Sequence, residues 1–415
     1  MNKIINRKSL TDCLVNIIDY RGKTPKKLGS DWAEFGYRAI SANNVKFDGL
    51  IKLDSIKFLD EKTYSKWMKD EIKNGDLLLT SEAPAGQVML WITDEKIVLS
   101  QRLFALRTKN DVYNKYLKYY LQSSIGQNEI NKNTSGSTVF GISAKMFDLI
   151  QVLLPNYDSQ VLIGDLLYAI DSKVELNNRT NAELEQMAKT LYDYWFVQFD
   201  FPDQNKKPYK TSGGKMVWSE ELKREIPEGW EVGTLLDIAD YTNGLPCQKF
   251  RPTGEAVLKV IKIKEMHEGF SAKTELVRSD IPPKVIIENG DVLFSWSASL
   301  EVQIWSRGKG ALNQHIFKVT SDKYPKSFYY YQLLNYLQHF KMMAENRKTT
   351  MGHITQEHLQ QSRIAIPPKE LTLELEKTIA PIFKKKVMNE IENQKLSELR
   401  DWLLPMLMNG QVNVI

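Results

Sequence analysis

Several loops of the sequence carry basic and amide side chains among glycine, proline and serine. Residues 20–27 read YRGKTPKK and residues 243–252 read NGLPCQKFRP, and similar loops lie at 131–138 and 345–352. Lysine and arginine bind phosphates, while arginine, lysine, asparagine and glutamine can pair with base edges through two hydrogen bonds. Serine and threonine in glycine-rich turns add backbone N–H groups that bind phosphate. This chemistry indicates binding to a nucleic acid.

Comparable loops recur at corresponding places in the two halves of the chain. A solvated surface charge is the alternative explanation for any single residue, but it explains the recurring set less well. The predicted contacts in the first half are Arg21, Lys23, Thr24, Lys26, Lys27, Asn43, Asn44, Gln101, Arg102, Ser137 and Thr138. Those in the second half are Gln248, Lys249, Arg251, Lys262, Lys264, Gln314, His315, Arg347, Lys348, Thr349 and Thr350.

The sequence offers little sign of a catalytic site. No G-x-x-x-x-G-K-[ST] phosphate loop occurs, because SGGKM at 212–216 has the wrong spacing. An Asn-Pro-Pro-aromatic motif, expected of an amino-methyltransferase, is also absent. His353 and His358 have a spacing that does not face one metal ion from a helix, and we expect them to be surface residues. We therefore predict no catalytic residue, no metal site and no cofactor bound by this chain.

The composition is typical of a folded protein with more than one domain. The chain has 415 residues, of which 42% are hydrophobic and 26% are charged. The only cysteines, Cys13 and Cys247, exclude a disulfide framework and fit a reducing compartment. No apolar run approaches the ~20 residues that span a bilayer, and the first residues lack the apolar stretch of a signal peptide. We expect a cytoplasmic protein.

The small net charge of +5 is unevenly distributed along the chain. Residues 1–155 contain 23 Lys and Arg against 17 Asp and Glu, whereas residues 156–199 contain three against seven. A basic region followed by an acidic one suggests that the first region, and not the second, meets a polyanion.

One sequence segment occurs twice in similar but not identical form. Residues 137–155 read STVFGISAKMFDLIQVLLP and residues 349–367 read TTMGHITQEHLQQSRIAIP. The same offset relates the residues that follow these two copies, without a gap, so that Ile163 corresponds to Leu375 and Leu184 to Leu396. Two asparagine pairs also match at this offset, Asn177 with Asn389 and Asn181 with Asn393. We therefore predict an internal repeat.

The repeated region has the periodicity of long helices. No proline interrupts residues 156–199, and the second copy, less regular around Pro381, runs from about 371 to 404. An isolated helix of this length cannot bury its apolar stripe, so we expect the two to pair as an antiparallel coiled coil with the asparagines fixing the register. The alternative is that two amphipathic helices pack into an ordinary core. The predicted seam of the first helix is Ile163, Leu166, Ile170, Asn177, Leu184, Met187, Leu191 and Tyr194.

A mixed domain precedes each helix. EIKNGDLLLT at 71–80 resembles IIENGDVLFS at 286–295, and both indicate a turn leading into a strand. Helices are expected near 112–125 and 326–345. The fold class is therefore α+β, with two mixed α/β domains, each followed by a long helix. The predicted segments are a first domain at 1–155, a helix at 156–198, a linker at 199–224, a second domain at 225–367, a helix at 368–404 and a tail at 405–415.

Together these features resemble the specificity (S) subunits of type I restriction–modification systems. The resemblance covers nearly the whole chain. It rests on the order and duplication of the repeated phrases and on four segments, SLTDCLVNIIDYRGKTPKK, LYDYWFVQFDFP, EIPEGWEVGTLLDIA and IENQKLSELRDWLLPMLMNGQVNV.

The resemblance implies two target recognition domains, each reading one half of a bipartite sequence in double-stranded DNA. The long helices would then be spacers that set the number of unread base pairs and dock two modification (M) subunits. It also implies that S-adenosylmethionine, ATP and Mg²⁺ belong to the M subunits and to restriction (R) subunits, where these exist, and that this chain is not an enzyme. The alternatives are a coiled-coil scaffold that binds only protein and, less well supported, a stand-alone DNA methyltransferase.

Overall fold

The computed structural model describes residues 6–135, 140–346 and 353–412, without the side chains of residues 345 and 346. The chain forms two compact units. Unit 1 comprises Met1–Val174 and Lys395–Ile415, and unit 2 comprises Glu175–Gln394. No helix in the described part of the chain combines the length and hydrophobicity needed to cross a membrane.

Unit 1 contains short strands, three short helices, the first part of one long helix and the last part of another. Its strands are β1 (Asn6–Ser9), β2 (Leu14–Asp19), β3 (Tyr37–Ile40), β4 (Val45–Lys46), β5 (Gly49–Leu50), β6 (Lys57–Leu59), β7 (Leu77–Thr80), β8 (Val88–Leu90), β9 (Val98–Leu99), β10 (Leu103–Thr108) and β11 (Gln151–Leu154). Its helices are α1 (Glu61–Trp67), α2 (Asn114–Gln122), α3 (Ser124–Lys132), the part of α4 (Tyr157–Phe196) up to Val174 and the part of α9 (Lys369–Met408) from Lys395 onward.

Unit 2 has the same kinds of element. Its strands are β12 (Met216–Ser219), β13 (Arg224–Pro227), β14 (Glu231–Thr234), β15 (Asp240–Asn243), β16 (Val257–Ile261), β17 (Leu276–Arg278), β18 (Ile286–Ile287), β19 (Val292–Ser295), β20 (Glu301–Ile304), β21 (Gly310–Leu312), β22 (Ile316–Thr320) and β23 (Arg363–Ile366). Its helices are the rest of α4, then α5 (Leu235–Ile238), α6 (Ile263–Glu268), α7 (Lys326–Asn346), α8 (Gln356–Gln361) and, up to Gln394, α9 (Lys369–Met408).

A four-stranded antiparallel sheet with the order β2-β10-β7-β8 divides the interior of unit 1 into two hydrophobic layers. Leu77 and Leu79 of β7 enter one layer and Leu78 enters the other, because successive side chains of a strand point to opposite faces. β7 is therefore apolar at consecutive positions. A second sheet, β6-β3-β9, contains a parallel pair, and β1 pairs with β11.

Unit 2 repeats this topology. Its sheets have the orders β15-β22-β19-β20 and β17-β16-β21-β18, again with one parallel pair, and β14 pairs with β23. Helices α4 and α9 both have 40 residues, and the strands before them both have four. The boundaries of these elements all differ by the same offset that relates the two copies of the repeated phrase. The predicted internal repeat and the α+β class are therefore confirmed.

The inner seam of α4 differs from the predicted one toward its end. Met187 and Tyr194 are exposed, whereas Ala188, Tyr192 and Trp195 are buried. The buried residue Ala188 lies about three helical turns after Asn177. A strict heptad pattern would instead bury the residue one position earlier, Met187.

The segment 199–224, predicted as a linker, is folded onto unit 2. Phe199 and Phe201 enter its main core, where the ring of Phe201 stacks on Tyr209 at 4.7 Å. Asp200 accepts hydrogen bonds from the backbone N–H and the hydroxyl of Thr211. The hairpin β12–β13 follows.

A partly buried ionic network holds the end of α9 within unit 1. Asp171 accepts hydrogen bonds from Lys118 at 3.0 Å, from the Tyr119 hydroxyl at 2.6 Å and from Arg400 at 3.0 Å. Burial alone would raise the pKa of Asp171, but the charge of Lys118 and these hydrogen bonds lower it overall. The ionised carboxylate therefore stabilises the folded unit.

Replacing Asp171 with asparagine should lower the free energy of unfolding by on the order of 3 kcal/mol, because Lys118 and Arg400 lose their shared counter-charge. The pKa of Asp171 is lower in the folded chain than the unfolded value of about 3.9. Its contribution is thus present above about pH 4 and is lost as the pH falls through the folded value. Urea unfolding of wild type and variant between pH 7 and pH 3 measures both effects.

The matched control is Asp401→Asn, since Asp401 pairs with the same arginine from an exposed position. We expect it to change the free energy by less than about 0.5 kcal/mol. Equal effects of the two substitutions would contradict the structural role of Asp171.

Candidate nucleic-acid interface

Three chain segments meet at one end of the four-stranded sheet of unit 1. The Ser81 N–H donates to the carbonyl of Arg102 at 2.8 Å, and the Ile142 N–H donates to the carbonyl of Ser81 at 2.8 Å. These bonds join the turn after β7, the turn before β10 and the chain leading to β11. We call this arrangement the unit 1 junction, and it contains the predicted residues Gln101 and Arg102.

The charged side chains at the unit 1 junction are held by partners. Arg102 pairs with Glu82 at 3.1 Å and remains half exposed. Arg21 donates to both carboxylate oxygens of Asp19 and to the carbonyl of Ile142, and its guanidinium lies 3.9 Å from the centre of the Phe104 ring. Arg21 therefore braces the junction, whereas Arg102 presents its charge to solvent.

The loop that follows Arg21 is held by hydrogen bonds within itself and by one to Trp67. Lys23 donates to the carbonyl of Trp67 at 2.9 Å, and burial together with Lys69 lowers its pKa. Lys27 donates to the Gly22 carbonyl, and the Thr24 hydroxyl accepts from the Lys27 N–H. The side chain of Lys26 is exposed and has no hydrogen-bonding or ionic partner among the described residues, so it can contact a phosphate without breaking an internal bond.

The prediction for Asn44 is inconsistent with its position. Asn44 is 2% exposed, and its side chain accepts from Ser41 and donates toward the carbonyl of Ile51 and the hydroxyl of Ser55. An amide used in this way stabilises a turn and cannot reach a base. The neighbouring Asn43 is exposed.

Unit 2 contains a junction with the same backbone bonds. The Trp296 N–H donates to the His315 carbonyl at 3.3 Å, and the Ile354 N–H donates to the Trp296 carbonyl at 3.0 Å. Trp296, His315 and Ile354 correspond in the repeat to Ser81, Arg102 and Ile142. The predicted residues Gln314 and His315 thus occupy the places of Gln101 and Arg102.

The side chains of the unit 2 junction are aromatic and amide groups. The Trp296 ring lies 5.6 Å from His315 and 5.6 Å from His353, and its indole N–H donates to Asn243 at 3.2 Å. The side-chain amide of Gln314 lies 3.2 Å from Nε2 of His315. Nδ1 of His315 is buried without a hydrogen-bond partner in the described structure. This junction therefore combines a flat apolar surface with polar groups.

The other predicted residues of unit 2 fall into two groups. Gln248, Lys249 and Arg251 are exposed on the loop after β15, which the Gln314 N–H anchors at the carbonyl of Leu245. Lys262 and Lys264 instead pair with nearby glutamates. The bond to Glu275 raises the pKa of Lys262, so this lysine keeps its charge but is less free to move.

Six predicted contacts lie outside the described residues, namely Ser137, Thr138, Arg347, Lys348, Thr349 and Thr350. Reciprocal backbone bonds of 2.9 Å join Ser135 to Gly141, the residue before Ile142 of the unit 1 junction.

Sequence reasoning missed the aromatic residues of the two junctions. Phe140 of unit 1 is 63% exposed, and Trp296 is partly exposed in unit 2. The signal for Trp296 was its position directly after the repeated Asn-Gly-Asp strand. The expectation for His358 was wrong, because this residue is buried and its ring bonds to Thr355 at the start of α8.

The four predicted register asparagines lie in the contact between α4 and α9 in unit 2. Asn177 donates to Asn393 at 2.9 Å, and Asn389 donates to Asn181 at 2.8 Å. In the repeat, Asn177 corresponds to Asn389 and Asn393 corresponds to Asn181. The two hydrogen bonds are therefore equivalent, and a local twofold axis relates them. This geometry also shows that the helices are antiparallel here.

Among the described residues, no three histidine, cysteine, aspartate or glutamate side chains are placed to hold a metal ion.

Comparisons with known proteins identify both halves of the chain with one family. The model of the type I restriction modification DNA specificity domain matches residues 13–186 and again residues 227–401. The specificity subunit of the type I restriction enzyme MjaIX from Methanocaldococcus jannaschii is 27% identical over 350 residues, covering 82% of this chain and 78% of that protein. The HindI specificity subunit from Haemophilus influenzae is 24% identical over 460 residues, covering 92% of this chain and 100% of that protein.

A solved structure has the same fold. The crystal structure of a type I restriction–modification S subunit from M. genitalium matches with a TM-score of 0.63 at 14% identity, covering 98% of this chain and 96% of that chain.

Replacing Asn389 with leucine should cost about 1–3 kcal/mol, because it leaves the buried amide oxygen of Asn181 without a donor. The double variant Asn181→Leu/Asn389→Leu removes both polar groups and should recover most of that loss. A double-mutant cycle from urea unfolding measures the coupling. Simple additivity of the two single effects would show that the asparagines do not act as a pair.

Proposed function

Because the chain belongs to the type I restriction–modification DNA specificity family, we propose that each of its two units reads one half of a bipartite DNA target. The predicted resemblance is confirmed. Members of this family provide DNA specificity and act with other restriction–modification subunits, which carry the catalytic activity.

The observation that carries the proposal is the junction, which occurs once in each unit. The two junctions share their backbone hydrogen bonds but differ in side chains, with Glu82 and Arg102 in unit 1 and Trp296 and His315 in unit 2. The same backbone scaffold therefore carries different surface side chains in the two units. This arrangement suits a protein that reads two different base sequences.

The residues of the junctions have the chemistry of direct readout. Gln101 and Gln314 can pair with adenine through two hydrogen bonds, and Arg102 can do so with guanine. The exposed basic loops next to the junctions suit phosphate contacts, with Lys26 in unit 1 and Lys249 and Arg251 in unit 2. In this division of labour, phosphate contacts position each unit and the junctions select the bases.

Helices α4 and α9 act in this proposal as the spacer between the half-sites. Each helix has 40 residues and is about 60 Å long at about 1.5 Å per residue. Both half-sites must meet the protein at a defined helical phase of the duplex, so the helix pair needs a fixed register. The bonds between asparagines supply that register.

The partners in this proposal are two M subunits, with R subunits added where they exist. S-adenosylmethionine, ATP and Mg²⁺ belong to those partners and not to this chain. Leu176 and Met187 are exposed on α4, and Met388 and Leu399 are exposed at the corresponding positions of α9. Apolar residues exposed at repeat-related positions suit two copies of the same protein.

Substitutions in one junction should change only one half-site. We expect Gln314→Ala/His315→Ala to weaken base discrimination by about 1–3 kcal/mol per lost contact in the half-site read by unit 2. Gln101→Ala/Arg102→Ala should have the same effect on the other half-site. Base-resolved mapping of methylation in cells that express the chain with its M subunit measures both.

The control for these variants is Lys223→Ala, which removes an exposed lysine paired with Glu220 in the 199–224 segment. It should leave the recognised sequence unchanged. If each junction variant altered both half-sites, or if neither altered any, the assignment of one half-site to each junction would be wrong.

Lengthening both helices together should change the spacer and not the half-sites. Duplicating residues 176–182 and 388–394 adds about two turns to each helix and keeps every asparagine opposite its partner in the antiparallel pairing. The helix pair gains about 10 Å, which predicts an unread spacer longer by about three base pairs at about 3.4 Å each. Methylation mapping gives the new spacing, and an unchanged spacer would rule out the ruler function.

A further inference from the structure

An apolar groove runs along the first half of α9 in unit 2. Its volume is about 260 Å³, and its floor consists of Ile304 from β20 together with Ala380, Phe383, Val387 and Met388 from α9. The four α9 residues follow one another at helical spacing, so they form one continuous face. Met388 at the open end is more than half exposed.

Polar groups border the groove without filling it. Lys326 donates to the Gly290 carbonyl at 2.6 Å, and Glu376 accepts from the Ser327 N–H at 3.0 Å. Both side chains are therefore held by hydrogen bonds at the border of the groove, which we call its rim. Lys384 also lines the groove, is exposed and has no ionic partner among the described residues.

A tyrosine stands at the corresponding position of the long helix in unit 1. The rim bond recurs there, since the amide of Asn114 donates to the Gly75 carbonyl at 3.1 Å. Tyr168 stands at the position that Ala380 occupies in the repeat, and it packs against the core of unit 1. The ammonium of Lys115 lies 4.1 Å from the centre of the Tyr168 ring. The second repeat thus has an open groove where the first carries its own aromatic side chain beneath a lysine.

We propose that the groove of unit 2 receives an aromatic side chain from one M subunit, with Lys384 lying over the ring as Lys115 lies over Tyr168. This inference rests on the proposed function, which supplies the partner. The first repeat identifies the occupant, because it shows which side chain fills this place. Exposed Met388 extends the apolar floor onto the helix surface where we propose that M subunits dock.

An aromatic side chain in a preformed apolar pocket is a common anchor of protein interfaces. A cation above the ring adds to the attraction. Because Tyr168 stands in unit 1 where unit 2 has Ala380, we infer that the chain offers this anchor only once among its described residues. The two M subunits therefore bind with different affinities, and the one at unit 2 binds more tightly.

The test is Ala380→Tyr, which gives the second repeat the side chain that the first already has. Full-length chain and purified M subunit are titrated, and native mass spectrometry counts the bound copies. We expect two copies on the wild type with unequal affinities, and a loss of at least tenfold in affinity for the tighter copy in Ala380→Tyr. The matched control Ala380→Ser keeps the groove open and should bind as the wild type does.

A second pair of variants keeps the proposal falsifiable if Ala380→Tyr folds poorly. Lys384→Glu changes an exposed side chain, and we expect it to weaken the tighter copy several-fold, whereas Lys384→Arg should retain the binding. Wild-type affinity for both copies in Ala380→Tyr and in Lys384→Glu would overturn the inference and leave the proposed function intact. A wild-type chain that binds no M subunit would overturn the proposed docking function and this inference with it.

Discussion

The bonds between asparagines of α4 and α9 are the constraint on which the rest of the structure depends. A long helix with one apolar stripe cannot remain alone in water, and an apolar seam by itself tolerates sliding by whole heptads. Asn181 and Asn389 remove that freedom, because a shifted register would bury their amides without partners. The local twofold axis at this contact relates the stretches of α4 and α9 that carry the four asparagines. A single polar cluster thereby fixes the register of the two helices where they meet in unit 2.

The repeat separates what the fold must keep from what recognition can vary. The backbone bonds of the junction are present in both units, from Ser81 to Arg102 and from Trp296 to His315. The side chains attached to that backbone differ in charge, size and aromatic character. Strand order and helix length are therefore constrained twice in the same chain, whereas the surface that meets a ligand is not.

The long helices and the duplication could be predicted from the sequence because both depend on periodic patterns. Helices α4 and α9 begin and end at the same offset that relates the two copies of the repeat. The inner face of α4 beyond Asn177 could not be predicted, since a step of three helical turns and a heptad pattern differ by one position there. Tertiary partners decided between them, with Tyr192 and Trp195 entering the core of unit 2.

The predicted site was less accurate for a different physical reason. Composition alone does not show whether a polar side chain is already used inside the fold. The side chain of Asn44 is hydrogen-bonded within a turn, and that of Arg21 pairs with Asp19 and lies against the Phe104 ring. Both residues nevertheless belong to sequences typical of binding loops. Trp296 was missed because an aromatic residue after a strand is more often part of a core. Only its neighbours His315 and His353 reveal the exposed surface.

The two ends of the helix pair use different chemistry, and this difference discriminates against wrong pairings. Unit 1 joins Asp171 to Lys118 and Arg400, whereas the repeat-related positions in unit 2 hold Phe383, Tyr330 and Ala188. A pair made of two copies of α4 would place Ala188 opposite Asp171 and deprive this partly buried carboxylate of its arginine. A pair made of two copies of α9 would place Arg400 against Phe383. Both arrangements leave a charge without its partner, at a cost that the pairing of α4 with α9 avoids. The ionic network therefore adds specificity for the intramolecular pair to the register that the asparagines provide.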